Sequence, residues 1–370
     1  MSLEGKTIGL ALSGGGYRAT LFALGSLWRL NDAGILGKLD RITSVSGGAI
    51  LAGILAHRWK ELRFTNGRAN NFAEVIAEPT QAFCGKTIDV WAGLAGLLVP
   101  RKTAGDFLAL CYKNLLFGNA TLKNLPVTDG NKIPKFIFYA TNMQTGRSFR
   151  FRQDFIADYL LGKSYTTNVP LATVVAASSA FPPIFSPIVL KTDPAAWSEA
   201  KNENLPNLTA LRSRIVLADG GVYDNMGLET LVNKVDITLV CDAGAPFKIQ
   251  AKPFEDYIFQ LGRVRDILID QTRALRKRQL IADFVAGRKQ GAYWGVGTPI
   301  GDFGAVNALA NDTKLTKSLE QIPTRLRKFE PKIQGHLVNW GYALCDAALR
   351  TRAGLSVSIA DEWPLPNWSL

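Results

Sequence analysis

The sequence predicts an α/β fold: an open, mostly parallel central sheet flanked by helices, with a helical insertion and a helical C-terminal extension. Two β-rich runs near the N-terminus carry this reading. Each ends in a glycine-rich turn that opens an apolar helical pattern: Thr7–Ser13 into Gly14-Gly15-Gly16, and Ile42–Val45 into Ser46-Gly47-Gly48. Such a β-α-β-α order leaves strands parallel and helices on the sheet faces. Composition agrees. The chain has 370 residues, 47% hydrophobic and 20% charged, which is globular and enough for a large buried core.

Taken in order, Thr7–Ser13 (TIGLALS) reads as a buried first strand. Leu21, Leu24, Leu27, Trp28 and Leu30 then recur at near-helical spacing, and Gly34 is a stop. Ile42–Val45 and the uniformly apolar stretch to Leu55 repeat the unit. Residues 60–132 read as a helical insertion or lid, with helical stretches around Phe72–Ala77 and Asp106–Leu116. Within it Trp91–Leu98 is apolar and glycine-rich, which suits a membrane-touching loop or a buried insertion. Lys135–Thr141 and Ser148–Arg152 are two strands joined by a short connection, and Leu171–Ser179 is a helix of small residues. Prolines at 182, 183 and 187 force Ala180–Pro187 to be extended or turned.

Arg214–Ala218 and Val235–Cys241 are buried strands running into Asp219 and Asp242. Phe254–Ile281 predicts a long amphipathic helix. Its apolar stripe is Tyr257, Leu261, Val264, Leu268 and Leu275; its end is basic (Arg273, Arg276, Lys277, Arg278). Ala292–Val296 is a late strand, and Ser318–Phe329 and His336–Arg350 are closing helices. Residues 251–370 are thus expected to form a helical extension packed on the core of 1–250.

The formal net charge of +12 favours an anionic partner such as lipid headgroups, nucleic acid or an anionic ligand. The four cysteines form no CxxC pair and read as small core residues of a reducing compartment. Glu4 and Lys6 interrupt any secretory signal. The longest uncharged stretch, Ser164–Leu190, is broken by four prolines, and Ile42–Ala56 is shorter than the ~20 residues of a spanning helix. A soluble, cytoplasmic protein with peripheral membrane contact is expected.

Three turns carry the chemistry: Gly14–Gly16, Ser46 and Asp219. In an open parallel sheet the C-terminal strand ends face one crevice, so distant turns can form one site. Ser46, on a tight strand-to-helix turn, is placed as a nucleophile, with Ser44 and Gly48 small enough for strand and helix to approach closely. The same pattern also fits a plain βα turn. Histidine is a poor base here. His57 lies ~16 Å along the helix that Ser46 begins, at ~1.5 Å per residue, and His336 opens a C-terminal helix. The base is therefore expected to be a carboxylate: Asp219 first, Asp224 and Asp242 behind it. Backbone N–H groups of Gly15 and Gly16 can bind an oxyanion, with Arg18 steadying the loop. A Walker loop fails for want of Gly-Lys-Ser/Thr. A dinucleotide fingerprint (Gly14, Gly16, Ala19) lacks the acidic residue at the end of the second strand.

Together these residues resemble the patatin-like phospholipase family. Gly14-Gly15-Gly16-Tyr17-Arg18-Ala19 is similar to its oxyanion motif, Ser44-Val45-Ser46-Gly47-Gly48 to its serine elbow, and Asp219-Gly220-Gly221 to its dyad motif. Ala176–Phe185 resembles its proline-containing block. The match spans about residues 7–245, with Ala19 and Ser44 standing where glycines are usual. The resemblance implies a three-layer catalytic domain over 1–250. It implies lipid acyl hydrolysis through a Ser46/Asp219 dyad on membrane phospholipid, with no metal or cofactor. Some relatives are membrane-degrading effectors, and the Arg273–Arg278 run would suit an anionic nucleotide activator; no specific nucleic-acid partner is implied. The alternative is a non-catalytic binder of anionic lipid or nucleotide on the same scaffold.

Overall fold

The computed structural model describes residues 5–89, 103–127, 133–253 and 256–370. Strand β1 (Ile8–Leu12) is buried throughout and turns through the glycines into helix α1 (Gly16–Asp32). Strand β2 (Arg41–Ser44) follows, then helix α2 (Gly47–Arg58), apolar as far as Ala56. The insertion carries α3 (Glu78–Cys84) and α4 (Ala104–Tyr112), with a two-stranded ladder at Phe64–Thr65 and Arg68–Ala69. The expected Phe72–Ala77 helix is a wide helical turn running into α3. Trp91–Leu98 lies outside the described residues.

Strand β3 (Lys135–Asn142) begins an antiparallel wing with β4 (Arg147–Phe151), β5 (Ile156–Asp158) and β6 (Gly162–Ser164). Helix α5 (Leu171–Ser179) precedes β7 (Ile188–Lys191), β8 (Trp197–Ser198) and β9 (Arg214–Asp219). Strand β10 (Ile237–Asp242), helix α6 (Tyr257–Val285) and strand β11 (Gln290–Gly295) come next. Short α7 (Lys314–Leu319) and long α8 (Pro331–Thr351) close the chain.

The sheet runs β8-β6-β5-β4-β3-β2-β1-β10-β11. Its five strands from β3 to β11 are mutually parallel, as the sequence pattern requires. Helices cover it: α1 packs on α8, with Gly25 and Gly341 at the crossing. A Cβ on Gly25 would stand 1.8 Å from the Val338 carbonyl oxygen, and one on Gly341 1.9 Å from that of Phe22. A buried ion network locks the pair. Asp346 accepts from Arg29 at 2.8 Å and from Arg350 at 2.9 Å.

Two expectations change. The helix expected over Ser318–Phe329 ends at Leu319, and irregular chain follows. Pro323 removes a backbone donor and bars the residue before it from helical geometry. The stripe expected to anchor α6 also faces outward: Leu261 is 59% exposed and Leu268 62%. Among the described residues no helix is long and apolar enough to cross a membrane. The cysteines are unpaired, and Cys84, Cys241 and Cys345 are buried, as small core residues are.

Candidate active site

Two strand ends meet along one edge of β3. Strand β2 runs parallel to β3 and stops with Ser44 beside Phe138. Strand β9 runs antiparallel along the same edge and stops with Asp219 beside Ala140. The ends are two residues apart on β3, about 7 Å at ~3.4 Å per residue. Ser46 follows one end and Asp219 is the other. This departs from the expected crevice of parallel strand ends, because β9 arrives from the opposite direction.

The elbow is strained and crowded. Ser46 has φ 50° and ψ −117°, a conformation a non-glycine residue holds only where its surroundings enforce it. Its N–H donates to Ser178 Oγ at 2.9 Å. A Cβ on Gly47 would lie 2.1 Å from the Gly16 carbonyl oxygen, and one on Gly48 2.5 Å from that of Leu12. The glycines thus let the elbow touch both β1 and the glycine loop. In that loop Gly15 (φ 146°) and Gly16 (φ 58°) open α1 in conformations that glycine adopts without the strain another residue would bear. Gly14 N–H donates to Asn225, and Tyr17 N–H to Arg325. The N–H groups of Gly15, Gly16 and Gly47 have no acceptor among the described residues. They cluster at the N-termini of two helices, where partial positive charge favours an anion.

Asp219 is only 3% exposed. Burial pushes its pKa up to about 7. A backbone hydrogen bond from Gly221 N–H (2.7 Å) and a hydrogen-bonding interaction with the Ser46 side chain hold it from rising further. A carboxyl group poised there can accept a proton near neutrality. Both residues face a cavity of about 640 Å³ that also meets Gly14, Gly15, Gly16 and Arg18.

A model of the patatin-like phospholipase family matches residues 10–232, a span holding the glycine loop, the elbow and the Asp219 turn. The chain belongs to the patatin-like phospholipase family. Among solved structures it is similar to human GIVD cytosolic phospholipase A2 in complex with methyl gamma-linolenyl fluorophosphonate. The identity is 13%, over 94% of this chain and 58% of that one, with a TM-score of 0.52, a likeness of fold. It is also similar, more loosely, to VipD from Legionella pneumophila. There the identity is 16%, over 94% of this chain and 67% of that one, with a TM-score of 0.38. The chain spans less than two thirds of the human enzyme's length. No curated protein matches it.

The remaining residues of this patatin-like site fall into place by their partners. Ser44 is buried and its hydroxyl donates to the Ile137 carbonyl at 3.3 Å. Gly220 N–H donates to the Ser178 carbonyl at 3.3 Å, and Gly221 begins a single helical turn. The fully buried Arg18 guanidinium lies against Gly15 of the glycine loop and clamps neighbouring segments to it, donating to the Ala243 carbonyl at 2.8 and 3.0 Å, to Thr324 Oγ1 at 3.1 Å and to the Ile322 carbonyl. The two weaker candidate bases are occupied. Asp224 accepts from the N–H groups of residues 226–229. Asp242 accepts from Arg273 at 3.0 Å, Tyr293 at 2.8 Å and Gly244 N–H at 2.9 Å. Burial alone would raise the Asp242 pKa, but these partners outweigh it and hold the carboxylate below its ordinary range. His57 lines a separate cavity beside Phe83, and His336 packs edge-on against Trp368.

Sequence reasoning missed two kinds of contributor. Ser178 ties the Ser46 turn to the Asp219 turn, its hydroxyl accepting from Ser46 N–H and its carbonyl from Gly220 N–H. It lies in the block that resembles a family motif, but its role has no sequence signal. Residues 320–326 and Arg263, Arg265 and Arg273 of α6 also wall the cavity. The C-terminal extension therefore completes the pocket. Much of the basic run is engaged within the fold: Arg273 pairs with Asp242 at 3.0 Å, Arg276 with Glu229 at 2.9 Å, and Lys277 lies over the Tyr293 ring, while Arg278 is exposed. Among the described residues no group of His, Cys, Asp or Glu is arranged to hold a metal ion.

Proposed function

We propose that this chain is a lipid acyl hydrolase that cleaves phospholipid acyl esters through Ser46 and Asp219. The observation that carries the reading is the buried Asp219 carboxyl facing the strained Ser46 hydroxyl beside unclaimed amides. Asp219 takes the Ser46 proton as the serine oxygen attacks the ester carbonyl carbon. The tetrahedral oxyanion takes hydrogen bonds from Gly15 and Gly16 N–H, each such donor being worth roughly 3–4 kcal/mol in a transition state. The C–O bond to the glycerol oxygen breaks, and Asp219 returns the proton to that alcohol. Water, deprotonated by Asp219, then attacks the acyl-serine; the bond from the acyl carbon to Ser46 Oγ breaks, Asp219 returns the proton to Ser46, and the fatty acid is released.

Family membership supports an ester-hydrolysing function, and a cavity of about 640 Å³ suits part of an acyl chain. The test is fatty-acid release from phospholipid vesicles. Wild type releases it, and Ser46→Ala and Asp219→Asn lower the rate by at least ~10³-fold. Wild-type rates in either variant would overturn the assignment.

A further inference from the structure

We propose that the outer face of α6 is the surface by which this protein docks on an anionic lipid bilayer, setting the mouth of the cavity against its substrate. The purpose rests on the proposed lipid hydrolysis, while the docking itself is separable from it.

Helix α6 is amphipathic with its apolar side out. Its body-facing residues are Arg265, Ile269, Arg273, Arg276, Leu280 and Phe284, spaced three and four apart. Most of what they meet is polar. Arg265 donates to the Pro182 carbonyl at 2.9 Å, Arg273 reaches buried Asp242, and Arg276 reaches Glu229. Only at the far end do Leu280 and Phe284 enter an apolar cluster. The opposite face carries Val264 (50% exposed), Leu268 (62%) and Leu275 (57%), flanked by Leu261 and Ile267. Nothing among the described residues covers them. An exposed apolar stripe on one helix, rimmed by cations, is the pattern of a helix that lies in the headgroup boundary.

Three observations select lipid as the occupant. First, the same helix walls the cavity through Arg263, Arg265, Ile269 and Arg273, so a bilayer on its outer face lies one helix away from the cavity. Secondly, two exposed apolar side chains stand on loops that α6 holds. Ile184, 57% exposed, lines the cavity from the turn that Arg265 holds. Ile249, 92% exposed, adjoins Lys248, whose carbonyl accepts from Arg263 at 2.8 Å. Thirdly, exposed cations accompany it: Arg278 on the helix, and Lys248 and Arg325 in the cavity wall. With the chain's net charge of +12, they complement anionic headgroups.

The test uses the Ser46→Ala protein, so that the vesicles stay intact, and co-sedimentation with phosphatidylglycerol-rich or pure phosphatidylcholine vesicles. Binding is expected to the anionic vesicles, weakening as salt is raised. Adding Val264→Ser, Leu268→Ser and Leu275→Ser is expected to lower the bound fraction roughly tenfold or more, with an unchanged melting temperature because the sites are exposed. Equal binding by the triple variant, or no binding without it, overturns the proposal. So does a dimer in light scattering that the triple variant turns into monomer, which would assign the stripe to a second copy of the chain. Hydrolysis of a soluble p-nitrophenyl ester by wild type reports the catalytic reading independently.

Discussion

At the residue scale, function rests on what surrounds one carboxyl group. Asp219 titrates at about 7 because its strand end is buried. On the proposed mechanism the ionised form is the base, so kcat/KM is expected to rise about tenfold per pH unit below that value and level off above it. Stability has the opposite sign. The folded protein binds this proton more tightly than the unfolded chain does, so the stabilisation is complete below about pH 4 and is lost as pH rises through 7. Asp219→Asn removes the buried charge. Its melting temperature should match wild type near pH 4 and exceed it near pH 8, by up to roughly 4 kcal/mol of stability. A variant less stable than wild type at pH 8 would contradict this. Most of these residues are legible in the sequence, since a serine between a β run and two glycines needs no partner to be noticed. Ser178 and Asn225 are not, because a hydroxyl or a main-chain carbonyl that holds another residue's N–H leaves no periodic trace.

At the element scale, the sequence reveals strands better than their direction. Arg214–Asp219 shows as a buried apolar run, and such a run looks the same whichever way it pairs. Its antiparallel pairing with β3 is what brings Asp219 to Ser46. The stripe on α6 was legible for the same reason, and its outward aim was not. Periodicity records that a helix has two faces, while the carboxylates at Asp242 and Asp224 decide which one turns in. The α1–α8 pair carries an element-scale prediction. Asp346 joins Arg29 of α1 to Arg350 of its own helix, with Arg29 almost fully buried. Asp346→Ala leaves that guanidinium without its carboxylate and is expected to cost about 3–5 kcal/mol, read by denaturant unfolding. A loss under 1 kcal/mol would show that water replaces the partner.

At the scale of the whole molecule, one site is assembled from both ends of the chain. The matched family region supplies the glycine loop, elbow and Asp219, while 320–326 and α6 close the cavity around them. Irregular chain at 320–326 was unreadable in advance: Pro323 marks a break but not the surface the break will meet. Arg18 ties the halves together, reaching from α1 to both 243 and 322–324. The central claim remains that Ser46 is activated by Asp219. Its most direct measurement is covalent labelling by a fluorophosphonate probe, followed by intact mass and peptide mapping. Wild type should gain a single adduct on Ser46, Ser46→Ala none, and Asp219→Asn the same adduct at a rate lower by at least ~10²-fold. Labelling of Ser46→Ala, or wild-type labelling kinetics in Asp219→Asn, would contradict it.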